Sequence, residues 1–185
     1  MGINELVTGY NNVYKIIARS SLRLIYQPLI IQLIIFYLSS NFKKMKTTTF
    51  LTFVGDQCGM AEEAINFYTS IFPNSEIKSI VKYLEGEAGG TPELIKYGVF
   101  TLNGTEYMVS ESNFNHAWSF TPGVSLFVEC NSENEMQILF EKLSSNGGQI
   151  MVPLDNYDSG DYGFGKKFGW CEDKYGISWQ LNLSE

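Results

Sequence analysis

The sequence predicts an α+β fold: a single domain in which a βαβββ module is performed twice. Three observations lead there. The order strand, helix, then three strands recurs, first over about 47–112 and again over about 123–183. YGVFTLNGTEYMVS (97–110) can be laid on FGWCEDKYGISWQLN (168–182), with Asn103-Gly104 over Tyr175-Gly176, Tyr107 over Trp179 and Met108 over Gln180. The closing ISWQLNL (177–183) alternates apolar and polar residues, the period of a strand with two unlike faces.

Each element has its own local reason. TTFLTFVG (48–55) reads as a buried strand. MAEEAINFYTSIF (60–72) reads as a helix, with Ala61, Ala64, Ile65, Tyr68, Ile71 and Phe72 on one face. Glu62 and Glu63 sit in its first turn, where the helix dipole favours negative charge, and Pro73-Asn74 stops it. SEIKSIVKYL (75–84) and LIKYGVFTL (94–102) are strand-like, separated by the loop EGEAGGTPE. Asn103-Gly104 is a tight-hairpin signal and introduces a further strand to 111. The second module opens with GVSLFVEC (123–130). Its helix SENEMQILFEKLSSNGG (132–148) carries a Ser132/Glu135 capping box, an apolar face of Met136, Leu139, Phe140 and Leu143, and a glycine stop. QIMVPL (149–154), KFGWCED (167–173) and ISWQLNL complete the set, while GDYGFG (160–165) neither follows a strand nor opens a helix and reads as a loop.

Composition bounds the function. With 44% hydrophobic and 15% aromatic residues in 185, the chain can bury a substantial core. A net charge of −7 speaks against a nucleic-acid partner, which needs a basic surface. Residues 1–45 hold five basic residues against Glu5 alone, so the remainder has 8 basic and 19 acidic residues, a balance of −11. Three cysteines, Cys58, Cys130 and Cys171, with no CxxC pair, suggest neither a disulfide framework nor a zinc site, and a reducing, cytoplasmic setting is expected. Residues 1–44 do not match the rest. Their apolar run Leu24–Leu38 is shorter than the roughly 20 residues a membrane span needs and is interrupted by Gln27, Pro28 and Gln32. Either Met45 is the working start of the protein, or the segment is a short apolar anchor; without it no membrane partner is expected.

FLTFVGDQCGMAEEAINFYTSIFPNS (50–75) and DKYGISWQLNL (173–183) resemble the vicinal-oxygen-chelate superfamily of glyoxalase, bleomycin-resistance and dioxygenase proteins. Within it the chain is similar to the PhnB-like branch, sometimes labelled 3-demethylubiquinone methyltransferase-like, over about 45–185. The resemblance implies a cupped mixed sheet around a cleft, helices on the outside, and a homodimer. In metal-dependent members one ligand comes from the first and last strand of each module. Those positions here are Thr49, Met108, Ser125 and Gln180. Neutral oxygens and a thioether are poor donors for a divalent ion, which wants imidazole, carboxylate or thiolate. No metal and no cofactor is therefore expected. The lone His116, and the carboxylates Glu111 and Glu129, are what remains for a metal-binding reading.

Placing Gln180 in the cleft puts Ser178 and Asn182 there too. The same parity assigns Thr49, Leu51 and Phe53 of the first strand, and Ser125, Phe127 and Glu129 of the fifth. Thr49, Leu51, Met108, Ser125, Phe127, Glu129, Ser178 and Gln180 are thus the expected ligand-binding cleft, with apolar walls and neutral hydrogen-bonding groups suited to a small organic molecule. The resemblance extends to antibiotic-sequestering relatives that bind a cationic drug by acidic and aromatic surfaces, a role for which the chain offers Trp118, Trp170 and the −11 charge, while both tryptophans are equally natural as core and dimer-interface residues. Two other functions stay open. One is an enzyme of the lyase, isomerase or dioxygenase kind, metal-dependent or working by acid–base chemistry on Glu106, Glu111 or Glu129. The other is a dimeric interaction module whose cleft is filled by its own side chains.

Overall fold

The structure is a computed structural model that describes residues 45–157 and 166–183. The expectations for residues 1–44 and for GDYGFG lie outside the described residues. The first module runs β1 (Thr49–Val54), a 3-10 turn (Gly55–Gln57), α1 (Ala61–Ile71), β2 (Glu76–Lys82), β3 (Ile95–Leu102) and β4 (Thr105–Ser112). The second runs β5 (Ser125–Glu129), α2 (Glu133–Ser144), β6 (Gln149–Asn156), β7 (Lys167–Glu172) and β8 (Ser178–Leu183). Each module closes a four-stranded mixed sheet of the same topology, β1-β4-β3-β2 and β5-β8-β7-β6. The first and last strands of each module run parallel, and the other pairs are antiparallel. The tandem βαβββ order read from the sequence is therefore the architecture. Among the described residues no helix is long and apolar enough to cross a membrane.

The helices pack on one face of their own sheets, α1 against β2, β3 and β4, α2 against β6, β7 and β8. Leu51, Phe53, Tyr68, Phe100 and Val109 of the first module share one buried cluster with Met136, Phe140, Trp179 and Leu181 of the second. Within the second module Gly169 of β7 lets α2 lie close to its sheet, since a Cβ there would lie 2.8 Å from the Phe140 ring. The hairpin β3–β4 turns on Asn103 (φ 46) and Gly104 (φ 77), two left-handed positions that an Asn-Gly pair fills with little strain.

The two helix starts differ. Ser132 is extended and its hydroxyl accepts from Glu135 N at 3.2 Å, while the Glu135 carboxylate accepts from Asn131 N at 2.9 Å. Replacing Ser132 with Ala is expected to cost about 1 kcal/mol, as for other N-caps, read as a shift in urea midpoint without change of slope. At α1 the N-cap is Met60, whose side chain caps nothing. A side chain from β4 does that work instead, as described below.

The first strand's parity is the reverse of that assigned: Leu51 pairs with Val109, Phe53 pairs with Glu111, and Leu51 and Phe53 are buried on the helix side. Thr49 shares their parity, opposite Tyr107. Phe50 and Thr52 take the other face, opposite Met108 and Ser110. The reason is chemical. TFLTFV carries apolar residues on both faces, so alternation leaves its register open until the parallel partner fixes it.

Candidate functional site

The face of each sheet turned away from its helix is where the candidate residues are to be sought. In the second sheet, parallel pairing sets Ser125 opposite Ser178, Phe127 opposite Gln180 and Glu129 opposite Asn182, all on that face. Leu126, Val128, Trp179 and Leu181 take the helix side. Antiparallel pairing with β7 adds Trp170 beside Gln180.

These residues form a connected polar group. The indole N–H of Trp170 donates to Ser178 Oγ at 2.8 Å, and the Ser178 and Ser125 hydroxyls are 2.7 Å apart. Gln180 Nε2 donates to Ser125 Oγ at 3.2 Å, and Asn182 Nδ2 to Glu129 Oε2 at 2.9 Å. Ser178 and Asn182 are buried, whereas Ser125, Gln180 and Trp170 are half-buried. The hydroxyls satisfy one another, which makes their burial affordable. The side-chain amide of Gln180 spends only one end on this cluster.

The first sheet presents something different on its corresponding face. Phe50, Met108 and Val99 form a row across β1, β4 and β3, with Tyr97 and Val81 paired beside it. Phe50 is 47% exposed and Tyr97 44%. Ser110 and Thr52, 3.4 Å apart, are the polar exception. One module thus offers an apolar face, the other a polar one.

The eight expected cleft residues do not share one cavity. Thr49, Leu51 and Ser178 border a hollow of about 220 Å³, together with Phe50 and Leu126. Phe127 and Glu129 border a larger groove of about 460 Å³. Met108, Ser125 and Gln180 border neither of these. Ser125, Ser178 and Gln180 are held together by the hydrogen bonds above, while Thr49 and Leu51 lie on the opposite face of their strand from Met108.

That last fact bears on a metal. Thr49 and Met108 point to opposite sides of the first sheet, and the residue actually opposite Met108 is Phe50, which has no donor atom. The four positions do not fit a divalent ion, and among the described residues no three of His, Cys, Asp and Glu come together. The reserve carboxylates are occupied otherwise. Glu111 is buried and accepts from Gly59 N at 2.7 Å, Ala61 N at 3.1 Å and Ile95 N at 2.7 Å, which caps α1 and ties it to β3. Glu129 holds Asn182, and Glu106 lies 3.5 Å from Lys78.

Sequence reading missed two arrangements. His116 Nε2 lies 3.0 Å from Ser112 Oγ, its ring 4.6 Å from that of Trp118. No partner orients its Nδ1 among the described residues, so a third member of a nucleophile–base–acid set is missing. The second is Asp173, buried in the DKYG turn, where it accepts from Tyr68 Oη, Trp179 Nε1, Tyr175 N and Ile177 N. Burial pushes its carboxyl above the usual range, and the four donors pull it back. Burial pushes the Cys130 and Cys171 thiols up to about 12, away from the thiolate form that a nucleophile needs.

Comparisons with known proteins fit this geometry. The sequence pattern of the family described as 3-demethylubiquinone-9 3-methyltransferase matches residues 45–182. A PhnB protein from Bacillus cereus has 47% identity and a TM-score of 0.66, covering 76% of this chain and 100% of that one. A Pseudomonas aeruginosa protein has 19% identity and a TM-score of 0.62, covering 76% and 98%, a likeness of fold. No curated protein matches significantly.

Proposed function

This chain belongs to the PhnB-like family described as 3-demethylubiquinone-9 3-methyltransferase, and from that membership we propose a protein that binds a small organic molecule without a metal. The ligand lies with its polar end against Gln180, Ser125 and Ser178 and its apolar body against Phe50, which borders one hollow with Ser178. The observation that carries this reading is the Trp170–Ser178–Ser125–Gln180 cluster. It is a fixed, neutral set of hydrogen-bonding groups with one amide end to spare. Such a set orients an uncharged polar group without the desolvation penalty of a buried charge.

Gln180 is the residue to test. Half-buried and making one hydrogen bond in the cluster, it can be replaced by Ala at a cost of about 1 kcal/mol. A saturation-transfer NMR screen of a neutral fragment library against the full chain should give hits that Gln180→Ala and Ser125→Ala lose. Hits that all survive both substitutions, or no hits at all, would remove the support for this site.

A further inference from the structure

The sequence holds two Asn-Gly pairs, Asn103-Gly104 and Asn146-Gly147. Both make the same kind of turn. Asn103 and Gly104 have φ of 46 and 77, Asn146 and Gly147 φ of 54 and 110, and all four residues are exposed. Each pair has a structural reason, since a tight turn with both centres left-handed suits asparagine followed by glycine. The same pair carries a chemical liability. Glycine puts no side chain beside its own nitrogen, so that nitrogen has open access to the side-chain carbonyl carbon of the asparagine before it.

The glycine nitrogen is what separates the two turns. Gly104 N donates to Asn74 O at 3.1 Å, which ties the β3–β4 turn to the stretch just past α1. At the other turn Gly148 N closes the loop on Ser145 O at 3.2 Å, but among the described residues no acceptor holds Gly147 N. Asn146 Nδ2 donates to its neighbour Ser145 Oγ at 3.2 Å, a bond that stays within the turn. One glycine nitrogen is held and the other is not.

We propose that Asn146 is a site of spontaneous modification, converting in the folded protein to aspartyl and isoaspartyl products while Asn103 is protected. Gly147 N gives its proton to hydroxide or a buffer base and attacks Cγ of Asn146. The N–Cγ bond forms, the Cγ–Nδ2 bond breaks, and Nδ2 leaves as ammonia with a proton from solvent, closing a succinimide ring. Water then opens the ring at either carbonyl. Breaking the N–Cγ bond leaves an aspartate at 146. Breaking the bond from that nitrogen to the main-chain carbonyl carbon leaves an isoaspartate, with the chain running through Cγ. Water is the co-reactant, and nothing is oxidised or reduced.

The two products differ in consequence. An aspartate puts a negative charge at the end of α2, which the helix dipole disfavours and which Lys142 and Lys174, bordering the same small hollow, offset. An isoaspartate lengthens the main chain by one carbon beside Gly148, which has no room to shift. A Cβ on Gly148 would lie 2.8 Å from Glu172 O and 2.9 Å from Leu143 O. The lengthened turn therefore gives up the Gly148–Ser145 bond and loosens the junction of α2 with β6.

The test ages the full chain at mildly alkaline pH, digests it, and follows both Asn-Gly peptides by liquid chromatography with mass spectrometry. The Asn146 peptide should gain the mass of an amide-to-acid conversion and split into two isomers. The Asn103 peptide should convert at least about threefold more slowly, because its glycine must first break a hydrogen bond. In urea strong enough to unfold the chain, the two peptides should convert at like rates. An unchanged Asn146, an equal or faster Asn103 in the folded chain, or a difference that survives in urea overturns the proposal. Hydrogen exchange then reads the consequence. The isoaspartyl form should exchange faster at Gly148 than the parent, and Asn146→Asp should not. Equal exchange at Gly148 in the isoaspartyl form and the parent would show that the turn absorbs the extra carbon, against the proposed loosening.

Discussion

Asp173→Ala is expected to lower the stability of the domain by about 4 kcal/mol, seen as a fall of roughly 2 M in urea midpoint. The carboxylate is 3% exposed and accepts four hydrogen bonds, at 2.7 Å from Tyr68 Oη, 2.8 Å from Trp179 Nε1, 2.8 Å from Tyr175 N and 3.1 Å from Ile177 N. Removing it strands several buried donors at once, each costing about 1–3 kcal/mol. Tyr68 stands on α1 and Asp173 in the second module, so the loss also severs a direct bond between the two halves. Tyr68→Phe should cost only about 1 kcal/mol, because the carboxylate keeps three donors. An Asp173→Ala variant as stable as the parent would mean that water replaces the carboxylate.

The same group carries a pH dependence whose sign can be worked out. Burial raises the folded-state pKa of Asp173 above its unfolded value. Its titration-linked contribution is therefore full below the unfolded value, about 3.9, and is lost as pH rises through the folded one. Asp173→Asn cannot titrate. The stability difference between parent and Asp173→Asn should therefore widen as pH falls from neutral toward about 4. A difference that narrows over that window would show that the donors outweigh burial.

The sequence made the architecture legible because the module is announced twice, by order of elements and by the Asn103-Gly104 and Tyr175-Gly176 turns. Strand β8 was legible for a further reason. Its polar and apolar residues alternate cleanly, so Ser178, Gln180 and Asn182 could be assigned to one face before any pairing was known. Strand β1 offers no such contrast, since Phe50, Leu51, Phe53 and Val54 are apolar on both parities. Its register is decided only by Val109 and Glu111 of β4, over fifty residues away. The groove was invisible for a similar reason. Phe72, Thr105, Glu135 and Trp179 are scattered along the chain, and only the packed modules bring them to one wall.

Glu111 shows how a carboxylate that looks chemical can be structural, and its replacement is the second large effect. Glu111→Ala should cost about 3 kcal/mol, because three backbone N–H groups lose their acceptor and the start of α1 has no other cap. The first two belong to Gly59 and Ala61 at the entry to α1, groups that a conventional N-cap at Met60, which would accept from Glu62 N or Glu63 N, does not serve. The third, Ile95 N at the start of β3, makes the side chain a staple between helix and sheet. Glu111→Gln tests the assignment more finely. An amide has one accepting oxygen, so either the α1 amides or Ile95 N then faces a second donor, and most of the loss should persist. Hydrogen exchange at Ala61 and Ile95 reads this directly. Faster exchange at both, with ligand binding at Gln180 retained, marks a structural group. Unchanged exchange with loss of binding would make Glu111 a site residue.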